Sequence, residues 1–253
     1  MAGKIAFVLA ASVHGPLICS RFDRAMAPNG ELYGVGAQIL ETGMFDPAEV
    51  TRAISFLHIR REQLGDGVVA IDCGANIGVH TLGWARAMTG WGRVVAFEPQ
   101  QRTYYALCGN IALANCFNAE ARLAAVGDGI QQSILVPRVD HMREGSYGSL
   151  ELRHSEQTEY IGQSVSYLPE DMDRVPCQSI DGLELNRCDF IKIDVERMER
   201  EVLEGARHTI ERCRPIIMVE WIKTGVEPIG EFLHKAGYAV TREGLNLIAI
   251  PDQ

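Results

Sequence analysis

From Val68 onward the chain alternates short, nearly continuous apolar runs with glycine turns and stretches of helical spacing. Val68 to Ile71, Val94 to Phe97, Phe190 to Ile193 and Ile216 to Val219 have the pattern of strands buried on both faces. Helices over about 78 to 88 and 102 to 113 fall between the early strands, and another strand is expected at Arg122 to Val126. Such strands belong in a parallel sheet covered by helices on both sides, an α/β architecture.

The segment before this repeat differs. Residues 1 to 45 mix short apolar runs with turn chemistry at Gly15-Pro16, Pro28-Asn29-Gly30 and Gly34-Val35-Gly36, which predicts a small N-terminal cap of short strands. Asp46-Pro47-Ala48-Glu49 then supplies an N-cap, a first-turn proline and a capping-box Glu. A helix over about 47 to 63 follows. Between Gly127 and Cys177 periodicity fades, and a hairpin or loop insertion over the active-site end of the sheet is expected. Tyr238 to Thr241 and Leu245 to Ile250, separated by Arg242-Glu243-Gly244, predict a closing β-hairpin. The organisation expected is thus a cap (1–45) and one domain (46–253) carrying an insertion at 127–177.

A net charge of -9 opposes the phosphate backbone of a nucleic acid and favours a small-molecule or protein substrate; the partner expected is a small-molecule or glycan acceptor. Seven dispersed cysteines without a C-x-x-C pair suggest reduced thiols and a cytoplasmic location. Lys4 followed by Ile5 to Ala11 has the order of a signal peptide, but the run ends early at His14-Gly15-Pro16. No membrane span is expected.

The chemistry concentrates at strand ends. Asp72-Cys73-Gly74-Ala75-Asn76-Ile77-Gly78 joins an apolar strand to a helix, where ligands of open parallel sheets bind. Asn76 stands where the second glycine of a dinucleotide fingerprint should be, which disfavours an NAD(P)-dependent oxidoreductase. Glu98, ending the next strand, is placed to accept hydrogen bonds from ribose hydroxyls; the plain alternative is a solvated loop carboxylate. Asp194 and Glu196 end another apolar strand on the same rim and are candidate catalytic groups, able to orient a nucleophile or take its proton. Their plain alternative is helix N-terminal acids. No His, Asp and Glu spacing marks a metal site, and Asp194 with Glu196 would need distant partners to form one.

Val69-Ala70-Ile71-Asp72-Cys73-Gly74-Ala75-Asn76-Ile77-Gly78, Phe97-Glu98-Pro99, and Phe190 to Glu196 with Glu199 and Val202-Leu203-Glu204-Gly205-Ala206 together resemble the FkbM family of S-adenosylmethionine (SAM)-dependent methyltransferases. The resemblance spans roughly residues 66 to 221. It implies a class I methyltransferase fold: a doubly wound, mostly parallel, seven-stranded, Rossmann-like sheet with helices on both faces. It also implies SAM as cofactor and O-methylation of a hydroxyl on a sugar, lipid or secondary metabolite. By position, Asp72, Gly74, Asn76 and Gly78 would line the methionine end, Glu98 would hold the ribose and Val126 would lie near the adenine, with Ala75 and Pro99 as further cofactor-binding candidates. Arg197 departs from the family, which usually has glycine after Asp-Val-Glu; a cation there would narrow the cleft or reach an anionic substrate.

His80, early in the first-turn helix, is a possible cofactor contact or a surface residue. His141, Tyr147 and His154 lie in the irregular insertion as weaker substrate candidates. A non-catalytic binding protein on the same fold is a rival that only Arg197 suggests. Homo-oligomerisation is open.

Overall fold

The computed structural model describes residues 5–26, 30 and 32–252. Lys4 and the turn residues Pro28 and Asn29 lie outside them. The chain opens with a hairpin of β1 (Phe7–Ser12) and β2 (Gly15–Ser20), then β3 (Ala25–Met26) paired with β4 (Leu32–Tyr33), and the short helix α1 (Val35–Thr42). The pattern had not suggested α1. Helix α2 (Pro47–Leu64) leads into β5 (Val68–Cys73), α3 (Val79–Ala87), β6 (Gly92–Phe97), α4 (Gln101–Leu113) and β7 (Ala119–Arg122). Next come β8 (Ala125–Val126), β9 (Ser133–Pro137) and β10 (Met172–Gln178). The chain ends with β11 (Phe190–Ile193), α5 (Glu199–Glu204), α6 (Arg207–Cys213), β12 (Ile216–Glu220), α7 (Val226–Lys235) and the hairpin β13 (Tyr238–Glu243) and β14 (Asn246–Pro251).

Seven strands form the central sheet in the order β13-β14-β12-β11-β5-β6-β7, with the five strands from β12 to β7 parallel and the hairpin antiparallel. Successive side chains of β5 serve opposite faces. Val68 and Ala70 join Phe56 and Leu57 of α2 and Trp84 of α3, whereas Val69 and Ile71 join Val202, Ile210 and Phe232. Trp84 sets its edge on Phe190 of β11 at 5.2 Å between centroids, and both are fully buried. Burial of a side chain the size of Phe190 contributes roughly 1.5–3 kcal/mol. After β7 the chain returns to the other side of β5, so the strand order reverses between β5 and β11. In open α/β sheets the ligand crevice lies at that reversal, at the carboxyl ends of the strands.

Two local expectations are corrected. Asp46 precedes α2 in the left-handed region (φ 39°) and makes no side-chain cap, because a capping carboxylate needs an extended backbone to fold onto the following N–H groups. Glu49 does not close a capping box either; its Oε1 accepts from Asn246 Nδ2 of β14 at 2.7 Å. The strand expected over 122 to 126 is divided. β7 ends at Arg122, and β8 leaves the main sheet to pair with β10, which is itself antiparallel to β9. That small sheet anchors the long segment 138–171, whose ordered content is two short 3-10 turns.

Candidate active site

The turn after β5 is threaded so closely past β11 that a side chain is excluded. Gly74 has φ +83°, and a Cβ there would lie 1.8 Å from the backbone oxygen of Asp194. The N–H groups of Gly74 and Ala75 donate to the Phe97 carbonyl at 3.1 and 2.8 Å, tying the turn to β6. Asn76 takes the left-handed region at φ 51°, which asparagine tolerates, and its N–H donates to Glu98 Oε2 at 3.0 Å. Glu98 Oε1 accepts from the Gln100 N–H at 2.8 Å. A carboxylate has about four acceptor positions, so these two bonds leave others for a ligand. Burial pushes the Glu98 carboxyl up to about 7, against the opposing pull of the two N–H donors.

A cavity of about 640 Å³ opens over this turn, within the usual range for cofactor clefts, roughly 300–1,000 Å³. Gly74, Ala75, Asn76 and His80 line it from the turn and α3, and Glu98, Pro99 and Val126 line the adjoining wall. Asp194 and Glu196 also line it. Phe97, Val126, Leu152 and Met198 supply an apolar stretch of wall. Asp72 and Gly78 are not on the wall. Asp72 is fully buried beneath it, accepting from Thr81 Oγ1 at 2.6 Å, and Gly78 starts α3 with φ +93°.

Two lysines unforeseen from the sequence hold these carboxylates. Lys192, buried in β11, donates from Nζ to Asp194 Oδ2 at 2.8 Å. Burial alone would lower its pKa, but Asp194 and Asp72 more than offset this and keep it charged. Lys223 donates to the Ser149 carbonyl at 2.8 Å and lies 2.6 Å from Glu196 Oε2 and 2.9 Å from Glu159 Oε2. Glu220, the last residue of β12, was also missed. Like Glu98 and Asp194 it ends or directly follows an apolar strand, and that signal would have found it. Asp194, Glu196 and Glu220 each bring one carboxylate oxygen within 4.8 Å of the others, so the fold supplies the distant partner that sequence spacing lacked. Burial first, then the Asp194 charge, raises both Glu196 and Glu220 above the ordinary carboxyl range; Lys223 opposes this at Glu196.

His80 is not a surface residue: it is 7% exposed, its ring meets Trp84 edge-on, and its Nε2 has no hydrogen-bond partner. Glu49 Oε2 lies 3.9 Å from that nitrogen. Burial lowers the imidazole pKa well below 6.5, so the ring is neutral. None of His141, Tyr147 and His154 lines the cavity. The Tyr147 hydroxyl donates to the Arg143 carbonyl at 2.8 Å, and the two histidine rings pack on Tyr147 and Tyr167.

Arg197 neither narrows the cleft nor faces it. Its guanidinium turns into the insertion, donating from Nε to buried Glu151 Oε2 at 2.8 Å and from Nη1 to the Lys223 carbonyl at 3.3 Å. Its backbone sits at φ +80°, next to Glu196 at φ +55°. That is a region natural for glycine, which gives a physical reason for the glycine that the resembling family carries here.

Residues 72–240 match the family model of the methyltransferase FkbM domain. No curated protein matches the chain. Among solved structures, the methyltransferase FkbM from Methylobacillus flagellatus KT is similar at 17% identity and a TM-score of 0.50, over 81% of this chain. The chain spans half the length of that protein. The O-methyltransferase from Bacillus cereus in complex with SAH is similar at 15% identity and a TM-score of 0.47, over 85% of this chain and 86% of that one. Among the described residues, no helix is long and apolar enough to cross a membrane.

Proposed function

The chain belongs to the FkbM methyltransferase family, and from that premise we propose that it is a SAM-dependent methyltransferase acting on a hydroxyl of a small-molecule acceptor, a sugar, lipid or secondary metabolite. The observation that carries the reading is one cavity lined by a ribose-type acceptor, Glu98, by the glycine turn and by a carboxylate pair, Asp194 and Glu196. When bound, SAM supplies an electrophilic methyl group on sulfur.

The residues present fit that cofactor. Glu98 keeps acceptor positions free beyond its two backbone donors, as two ribose hydroxyls require. Phe97, Val126, Leu152 and Met198 offer the apolar contact an adenine needs, and Gly74 to Asn76 allow close approach of the methionine end. Asp194, fixed by Lys192, is suited to orient the acceptor hydroxyl. Glu196, raised by burial toward neutrality, is suited to take its proton, since a base works best with a pKa near the working pH. Ser149, Leu150 and Leu152 of the insertion wall the cavity and exclude water.

Calorimetry with SAM and with S-adenosylhomocysteine (SAH) tests the cofactor, and transfer of a labelled methyl group to a panel of hydroxylated small molecules tests the reaction. Binding of both, with transfer lost in Glu196→Gln, is expected. Binding of neither would remove the proposal.

A further inference from the structure

We propose that the part of the cavity wall formed by Asp194, Glu196 and Glu220 is a cation subsite, which a divalent metal ion or a protonated amine on the acceptor fills. The inference rests on the methyltransferase reading only in calling this the acceptor end. The three carboxylates bring oxygens within 4.8 Å of one another. Two ammonium groups are nearby: Lys192 holds Asp194 Oδ2, and Lys223 holds Glu196 Oε2 while also serving Glu159. Among the described residues, no hydrogen bond or ion pair reaches the Glu220 carboxylate. Asp46 and Glu49 add two further carboxylates to the same cavity wall. Two ammonium groups against five carboxylates on this wall, Asp46, Glu49, Asp194, Glu196 and Glu220, leave it short of positive charge, and like charges held together repel.

A separate observation also calls for a ligand. His80 lines this cavity, is more than nine-tenths buried, and leaves Nε2 without a hydrogen bond. Such an orphaned polar atom inside a protein is normally satisfied by something, and a neutral imidazole here can meet a polar group on the cation's carrier. An all-oxygen donor set favours magnesium, manganese or calcium over softer metals, and an ammonium has three N–H donors to share among three carboxylates.

The full chain, first titrated with SAH by calorimetry and then saturated with it, is tested in two arms. One follows free Mn²⁺ by electron paramagnetic resonance. The other compares ethanolamine, protonated at pH 7, with neutral ethylene glycol by saturation-transfer NMR. Saturable binding of Mn²⁺ or of ethanolamine alone is expected, weakened about tenfold or more in Glu220→Gln. It should be largely kept in Glu220→Asp and unchanged in Glu231→Gln, an exposed carboxylate on α7. The arm that responds identifies the source of the cation. Absence of both, or equal binding by wild type and Glu220→Gln, overturns the subsite. If SAH itself fails to bind, the methyltransferase reading falls while both cation arms can still be read on the free protein.

Discussion

Cofactor binding should tighten as pH rises through the range in which Glu98 titrates, and Glu98→Gln should abolish that dependence. The side chain is 3% exposed, and its carboxyl sits at about 7 instead of an ordinary 4.5. At about 1.4 kcal/mol per pKa unit, holding it ionised costs the free protein about 3 kcal/mol well above pH 7. The sign follows from linkage: the folded carboxyl holds its proton more tightly than the unfolded one, so its contribution to stability is present below pH 4.5 and lost as pH rises through about 7. Ribose hydroxyls donating to the ionised form pull the pKa back down. SAH affinity should therefore increase by up to about tenfold per pH unit between roughly 5 and 7, and level off above. Calorimetry in buffers of differing ionisation enthalpy should also show proton release in that window. Glu98→Gln should bind more weakly by roughly 1.5–3 kcal/mol at pH 8. A wild-type affinity that is flat with pH, or a slope that survives in Glu98→Gln, would refute both the ribose role and the buried-carboxyl reasoning.

Gly74→Ala should abolish measurable SAH binding and lower stability by about 1–3 kcal/mol in urea titration, because the new Cβ meets the Asp194 carbonyl and the backbone has positive φ. Arg197→Ala should destabilise the protein by about 1–3 kcal/mol, leaving the buried Glu151 carboxylate with Lys223 at 3.8 Å as its nearest cation. Amide exchange should then rise over residues 151–159 while SAH affinity changes little.

Much of the architecture was legible because strands of a doubly covered sheet must be apolar on both faces. Val94 to Phe97, Phe190 to Ile193 and Ile216 to Val219 stand out for that reason, and the acids that follow them, Glu98, Asp194 and Glu220, line one cavity. What stayed hidden depends on contacts distant in sequence. Lys192 reads as a polar break in β11 until Asp72 and Asp194 are seen around it. Glu49 reads as a helix cap until Asn246, 197 positions away, claims its carboxylate. The 122–126 run looked like a single strand because pairing of β8 with β10, 52 positions downstream, leaves no local trace. Arg197 misled by its charge, whereas its backbone angle and the insertion it clasps explain its place.

Lys223 links two parts of the molecule that natural variation would otherwise alter separately. The same ammonium holds Glu196 in the cavity wall and Ser149 and Glu159 in the insertion that walls the cavity. A redesign that lengthened or rebuilt that wall to admit a bulkier ligand would take Ser149 and Glu159 from the ammonium and free it to shift against Glu196, retuning that carboxyl's acidity. A new wall should therefore supply replacement partners that keep Lys223 in place.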